Sequence, residues 1–223
     1  MRGGPKDNFL RSLIVATIAI AAPAVANSAD FKFVGTQVTM NGLIIDGDSQ
    51  KFQDTIGDKL VRSIVLDSRG GDVLEAMDIG ERIRLKNADT TVGPDGKCAS
   101  ACALIWAAGT HRSIADGGRV GFHAAYNADT QKSPTGVGNA LIGAYLTKLG
   151  YDYPAVIFAT DAAPDEMNWL NPEYAEKSGF IYEAKNIVEA QRPVAEVPLK
   201  GCAKVTAQVA ELFGSAKGFS CKE

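Results

Sequence analysis

The chain is poor in the residues that mark several function classes. Of its 223 residues, two are histidine, two tryptophan and four cysteine. So little cysteine excludes a disulfide-dense miniprotein. Glycine (23) and proline (9) are too few for a collagen-like or low-complexity chain. No basic run exceeds two residues and the formal net charge is −3. With a pI of about 5.5, this argues against a nucleic-acid partner, which would be met by a basic patch. No apolar run reaches the roughly 18 residues of a spanning helix. What remains is ordinary globular usage, 46% hydrophobic and 22% charged. That is enough chain for one domain with a sizeable core, plus appendages.

The N-terminus reads as a targeting segment. Arg2, Lys6 and Arg11 make a positive region, Leu13 to Ala22 an apolar stretch of ten residues, and Ala24-Val25-Ala26 a small-x-small cleavage site. Cleavage after Ala26 would give a periplasmic or secreted protein; an uncleaved membrane anchor is the alternative. Removing residues 1–26 takes three of 23 basic and one of 26 acidic residues, leaving 20 and 25 and a net charge of −5.

In an exported chain the cysteines suggest disulfides. They fall as two close pairs, Cys98 with Cys102 and Cys202 with Cys221. Three connectivities are open, and local pairing is preferred because each pair sits within one segment. The rival is a zinc site built from Cys98, Cys102, His111 and His123, though the spacing is unfamiliar.

Along the chain, Phe31 to Val38 reads as a strand, Asn41-Gly42 as a turn and Leu43-Ile44-Ile45 as a second strand. Gly47 to Asp58 is a polar, partly helical connection. Ile64-Val65-Leu66 is a β-branched run of the kind found in buried parallel strands. Asp72 and Glu75 resemble a capping box. The helix behind them shows Leu74, Met77, Ile83 and Leu85 as an apolar stripe. Thr90 to Val92 is a strand, and Ala99 to Ala108 a buried helix stopped at Gly109. Arg119 to Phe122 is a strand ending at His123. Tyr126 to Gly138 is a polar loop, Leu141 to Leu149 and Tyr153 to Thr160 are helices, and Trp169 to Gly179 is a turn, short helix and glycine stop. Ile181-Tyr182 is a last strand. Pro193 and Pro198 then mark a linker. The expected organisation is a signal peptide over 1–26, one domain over 27–185 and an extension over 186–223. Strands alternating with helices predict an α/β fold with a mainly parallel sheet.

Three features in chain order carry chemistry. Gly70-Gly71 follows a strand, Ser100 opens a buried helix and His123 closes a later strand. A serine hydroxyl needs a base to become a nucleophile, and histidine is suited to that task. The oxyanion of an acyl-transfer intermediate is held best by preorganised backbone N–H groups. A Gly-Gly turn lets backbone approach a ligand, and a helix start has unpaired N–H groups. In α/β sheets ligands collect at the carboxyl ends of strands. Each signal alone has a plainer reading: an N-cap, a turn, an exposed histidine. Trp106 and Trp169 read as core aromatics, His111 as an exposed loop residue, and the carboxylates Asp161, Asp165 and Glu166 as a solvated turn rather than a metal cluster.

Together these residues carry a resemblance. Leu66-Asp67-Ser68-Arg69-Gly70-Gly71 is similar to the strand and Ser-Pro-Gly-Gly element of the Clp protease proteolytic subunit. Cys98-Ala99-Ser100-Ala101-Cys102 sits where that family has Ala-Ala-Ser-Met. Ala107-Ala108-Gly109 through Arg112 resembles the Ala-Gly and Arg that follow. Arg119-Val120-Gly121-Phe122-His123 resembles its Arg-Val-x-Ile-His strand, and Trp169-Leu170 through Ala175 and Gly179 its Phe-Leu-Ser segment. The spacings, 29 residues from Gly71 to Ser100 and 23 from Ser100 to His123, are close to the family's. The likeness covers about residues 35–185. It implies the Clp/crotonase spiral of ββα units, with Ser100 as nucleophile and His123 as general base. Gly71 and Ala101 N–H would form the oxyanion hole, and an extended substrate would lie by Gly70. No cofactor is implied. Trimers or stacked rings occur in the family, so a homo-oligomer is open.

The departures matter as much. The position of the family's aspartate aligns with Met167. Asp165 is the favoured substitute, with Asp161 and Asn168 behind it. Cysteines flank Ser100. Export would separate the chain from ATP-driven unfoldases, so no ATPase partner is expected and any proteolysis would be ATP-independent. The extension has no counterpart. A Ser-Lys dyad through Lys97 or Lys132 is a minor alternative, and acyl-CoA chemistry a poorer one. The resulting expectation is an exported serine hydrolase acting on peptide or protein. The alternatives are an inactive peptide- or protein-binding member of the fold, or an esterase or other acyl hydrolase.

Overall fold

The computed structural model describes Met1 and residues 28–127 and 132–185. The signal segment and the extension, with Cys202 and Cys221, lie outside the described residues, so the signal peptide and the Cys202–Cys221 disulfide stand as expectations. Among the described residues no helix is long and apolar enough to cross a membrane.

The chain enters through β1 (Asp30–Val34) and β2 (Gln37–Asn41), an antiparallel hairpin. The run expected as one strand is broken at Gly35, whose φ of 63° is the left-handed conformation that glycine adopts readily. Leu43 and Ile44 form isolated bridges rather than a strand. After α1 (Asp48–Ile56), β3 (Ser63–Asp67) lies parallel to β2 with Ile64 and Leu66 fully buried. Then come α2 (Val73–Leu85), β4 (Asp89–Val92), β5 (Lys97–Ala99), α3 (Ala101–Ala107), β6 (Arg112–Ala115) and β7 (Arg119–Phe122). The chain continues through α4 (Gly136–Lys148), α5 (Tyr153–Thr160), β8 (Asn168–Trp169), α6 (Pro172–Ser178) and β9 (Glu183–Lys185).

A six-stranded sheet runs β1-β2-β3-β4-β6-β9, parallel everywhere except β1–β2. A small sheet, β5-β7-β8, pairs β5 with β7 in parallel. The α/β class with a mostly parallel sheet is therefore as expected. Every residue of α3 is buried, and the helix packs on α2, β4, β5 and β7. Its Trp106 hydrogen-bonds the Ser113 carbonyl at 3.3 Å, which satisfies the indole N–H inside the core. Phe122 stacks on Phe180 at 4.6 Å between ring centres.

Several elements differ from the sequence reading. The buried face of α2 is Ala76, Met77, Ile79, Gly80 and Ile83, while Leu74 and Leu85 are exposed. The residues at i, i+3, i+4 and i+7 thus form a stripe turned away from the expected one. Strands β5 and β6 have no counterpart in the sequence pattern, because three or four residues carry too little alternation to read. The helix α4 begins at Gly136, inside the expected loop, because Thr135 caps it by accepting from Gly138 N–H. The last strand lies two residues beyond Ile181-Tyr182.

Candidate active site

Three strand ends meet at one place. The backbone beyond β3 crosses to β5: Ser68 N–H donates to Lys97 O (2.7 Å), and Ala99 N–H to Ser68 O (3.0 Å). Strand β5 in turn pairs with β7, Ala99 opposite Gly121, and Ser100 N–H donates to Gly121 O at 2.9 Å. The carboxyl ends of β3, β5 and β7 therefore deliver Gly70-Gly71, Ser100 and His123 to the same edge, where α/β proteins gather ligands.

Ser100 stands on a sharp strand-to-helix turn with φ 57° and ψ −128°, and its side chain makes no capping hydrogen bond. The plainer reading of an N-cap is thus not realised. A positive φ is uncommon for a non-glycine residue, and such turns lift a serine hydroxyl clear of its own backbone. Cys98 and Cys102 close a disulfide around this turn, with Cα atoms 5.1 Å apart. The pairing expected for these two residues is present. Sulfurs bonded to each other are not metal ligands, which removes the zinc alternative, and His111 pairs instead with Asp89 at 2.9 Å.

Gly70 faces Ser100 so closely that a Cβ there would lie 2.7 Å from the Ser100 Cβ and 2.9 Å from Ala101 N. Gly71, at φ 141°, has no room for a Cβ against the Ile44 carbonyl. The turn is tied by Ser68, whose hydroxyl accepts from Gly70 N–H at 3.0 Å. Ile44 N–H takes the Gly70 carbonyl and Asp72 N–H the Ile44 carbonyl, each at 2.9 Å. Among the described residues, neither Gly71 N–H nor Ala101 N–H has an acceptor. Both residues line one cleft with Ser100 and His123. That arrangement can hold an oxyanion beside a nucleophile.

His123 is half-buried and stacks on Tyr126, with ring centres 5.7 Å apart and planes at 26°. Its Nδ1 lies 2.7 Å from the Ala124 carbonyl oxygen. A carbonyl can only accept, so Nδ1 carries a proton, and in the neutral ring the lone pair is then on Nε2, the form a general base requires. The carboxylate expected on Nδ1 is not there. Asp165 is exposed and makes no hydrogen bond or ion pair among the described residues. Asp161 ends α5 and lines a separate groove beside Tyr174. Asn168 donates to the Phe158 carbonyl. Met167, at the nominal position, packs over Gly121, where a Cβ would meet its Cγ at 2.7 Å. No hydrogen bond joins Ser100 to His123 among the described residues.

The cleft has a volume of about 720 Å³. Its floor includes Leu104, Phe122, Ala125, Ile142 and Ala159. Leu74 and Leu141 line it while remaining 61% and 43% exposed, so the apolar surface runs out to the rim. Neither Lys97 nor Lys132 lines it. Sequence reasoning missed Ala124 and Tyr126 as supports of His123. A backbone carbonyl leaves no signal in residue types, whereas an aromatic three residues after the histidine does.

No protein family profile and no curated protein matches the chain. Solved structures do. The 1510-N membrane-bound stomatin-specific protease, as a lysine-to-alanine mutant in complex with a substrate peptide, superposes with a TM-score of 0.50 at 21% identity, covering 73% of this chain and 76% of that one. A serine-to-alanine mutant of the same protease gives 0.49, also at 21%, over 73% and 81%. A protein described as an enoyl-CoA hydratase from Streptomyces coelicolor A3(2) gives 0.44 at 16%, over 90% and 91%. The likeness shows the fold, the Clp/crotonase type of α/β architecture.

Proposed function

We propose that the chain is an exported serine hydrolase of the Clp/crotonase fold that cleaves peptide bonds without an ATPase partner or cofactor. Ser100 is the nucleophile, His123 the general base, and Gly71 and Ala101 N–H the oxyanion hole. The observation that carries the reading is the turn at Ser100: a strained serine without a capping bond, flanked by two N–H groups without acceptors, in one cleft with a histidine whose Nε2 is free. Attack by Oγ on a carbonyl carbon passes the hydroxyl proton to Nε2, and the tetrahedral oxyanion takes the two N–H groups. The same imidazole then protonates the leaving amine, and water repeats the sequence on the acyl-enzyme. The Ser100–His123 contact closes only when substrate is bound, as catalytic hydrogen bonds often do. A protease of the same fold with a bound substrate peptide supports peptide as substrate class. The N-terminal signal pattern and the Cys98–Cys102 disulfide support an oxidising compartment.

The orienting group is the Ala124 carbonyl rather than a carboxylate. This observation favours a second reading, a binding module that has lost turnover. A fluorophosphonate probe separates the two. The hydrolase is labelled at Ser100 alone, and Ser100→Ala abolishes labelling without changing the circular dichroism spectrum. A folded wild-type chain that takes no label is the binding module.

A further inference from the structure

The cleft carries fixed charge of one sign. Among the described residues, the only carboxylate, lysine or arginine side chains that line it are those of Asp46 and Asp72. They sit on adjoining segments of one wall, where Ile44 bridges Gly71 and Asp72 N–H donates to Ile44 O. Both are exposed, and neither has an ion-pair partner among the described residues. Asp72 spends one oxygen on the α2 N-terminus, accepting from Leu74 and Glu75 N–H, while Asp46 accepts no hydrogen bond. Behind the same wall, buried Asp48 accepts from Ile45 N–H at 2.8 Å, and Glu75 accepts from Ser49 N–H at 2.6 Å. Among the described residues no lysine or arginine is part of the lining. Lys132, which is not part of the lining, lies 5.8 Å from the centre of the ring of Tyr126, a lining residue. The floor and rim between these walls are apolar.

A cleft of this polarity attracts cations and repels anions, and low-dielectric walls concentrate the field. We infer that Asp46 and Asp72 are specificity-determining residues, and that the cleft selects an apolar peptide segment flanked by lysine or arginine. Acidic peptides and phosphate-bearing acyl donors such as acyl-CoA are disfavoured, since nothing in the lining neutralises their charge. The inference rests on the hydrolase reading for the reaction but not for recognition.

The test uses the full chain with Ser100→Ala, so that bound peptide is not consumed. Two end-capped, dye-labelled peptides, Lys-Leu-Leu-Ala-Lys and Glu-Leu-Leu-Ala-Glu, are compared by fluorescence anisotropy. The lysine peptide binds about fivefold or more tighter at low ionic strength, and the preference shrinks as salt screens exposed pairs. Asp46→Asn together with Asp72→Asn removes the preference while leaving affinity for an uncharged Ser-Leu-Leu-Ala-Ser peptide unchanged. Asparagine caps a helix as well as aspartate, so the fold is retained, which thermal melting verifies. Equal binding of the two charged peptides, binding of neither, or a preference unaltered in the double variant overturns the inference. Charge preference in a chain that the fluorophosphonate never labels would refute the hydrolase reading alone. Labelling without charge preference would refute this inference alone.

Discussion

Ser100 holds φ 57° and ψ −128°, a conformation that costs a side-chain-bearing residue on the order of 1–3 kcal/mol. The surroundings impose it. Ser100 N–H is held by Gly121 O, and the disulfide between Cys98 and Cys102 spans the turn. Glycine populates the mirror-image extended region freely, whereas alanine meets the same strain as serine. Ser100→Gly should therefore be more stable than Ser100→Ala by about 1 kcal/mol, a shift of a few degrees in Tm for a domain of this size. Calorimetry on the two variants decides it. A Ser100→Gly chain that melts at or below Ser100→Ala would mean that the turn is unstrained. At this scale the sequence was informative where the chemistry needs a residue type, as at Ser100, His123, Gly70 and Gly71. It was silent where backbone does the work, as at the Ala124 carbonyl. A triad needs a carboxylate, which makes Asp165 the sequence's candidate, but Met167 fills the space over Gly121 and no hydrogen bond among the described residues brings Asp165 to the imidazole.

At the scale of elements, the start of α2 shows how tertiary contact overrides a local motif. Asp72 and Glu75 have capping-box spacing, and Asp72 does cap, accepting from Leu74 and Glu75 N–H. The reciprocal half is missing because Asp72 N–H is already given to Ile44 O. Glu75 turns instead to α1 and accepts from Ser49 N–H at 2.6 Å, joining the two helix starts. Burial pushes its carboxyl up, and Asp78 adds to that. Hydrogen bonds from the Ser49 backbone and hydroxyl and from the Gly47 backbone outweigh both, holding it below the usual carboxylate value. A depressed folded-state pKa stabilises the fold above the unfolded value, near 4.5. That stability is lost as pH falls through the folded value. Glu75→Gln should thus cost about 1 kcal/mol at neutral pH, the range of a half-buried charged hydrogen bond discounted for solvent screening. Urea titrations across pH should show the gap between wild type and variant closing as pH falls below 4.5. A gap that is constant with pH would assign the loss to packing rather than charge. The β3 strand and α5 were legible because one is a β-branched buried run and the other a helix with proline in its first turn. The short strands β5 and β6 exist only through their neighbours in the sheet.

Across the whole molecule, the alternation of strands and helices predicts the α/β class, and the resemblance carried by the glycine-pair, serine and histidine motifs implies the Clp/crotonase fold, in which a parallel sheet delivers successive strand ends to one edge. The small sheet that brings Ser100 beside His123 was not visible, since pairing partners are set by topology and not by local pattern. The disulfide ties these two levels together. Cys98 lies in β5 and Cys102 in the first turn of α3, and both are fully buried in the core that joins the large sheet to the small one. A thiol reductant has no path to such sulfurs in the folded chain, so reduction has to wait for opening of the core. Reduction by dithiothreitol should therefore be slow in buffer and accelerate steeply with urea, following the unfolding rate measured separately by tryptophan fluorescence. Once reduced, the chain loses the constraint of a five-residue loop, about 2 kcal/mol in the chain-entropy account, with a fall of several degrees in Tm. Fluorophosphonate labelling of Ser100 should fall with it, because the strained turn is then held only by its backbone hydrogen bonds, Ser100 N–H to Gly121 O and Ala103 N–H to Ser100 O among them, and by packing. Rapid reduction in the absence of denaturant, with labelling intact, would show that the turn opens locally and that the disulfide does not hold the nucleophile in place.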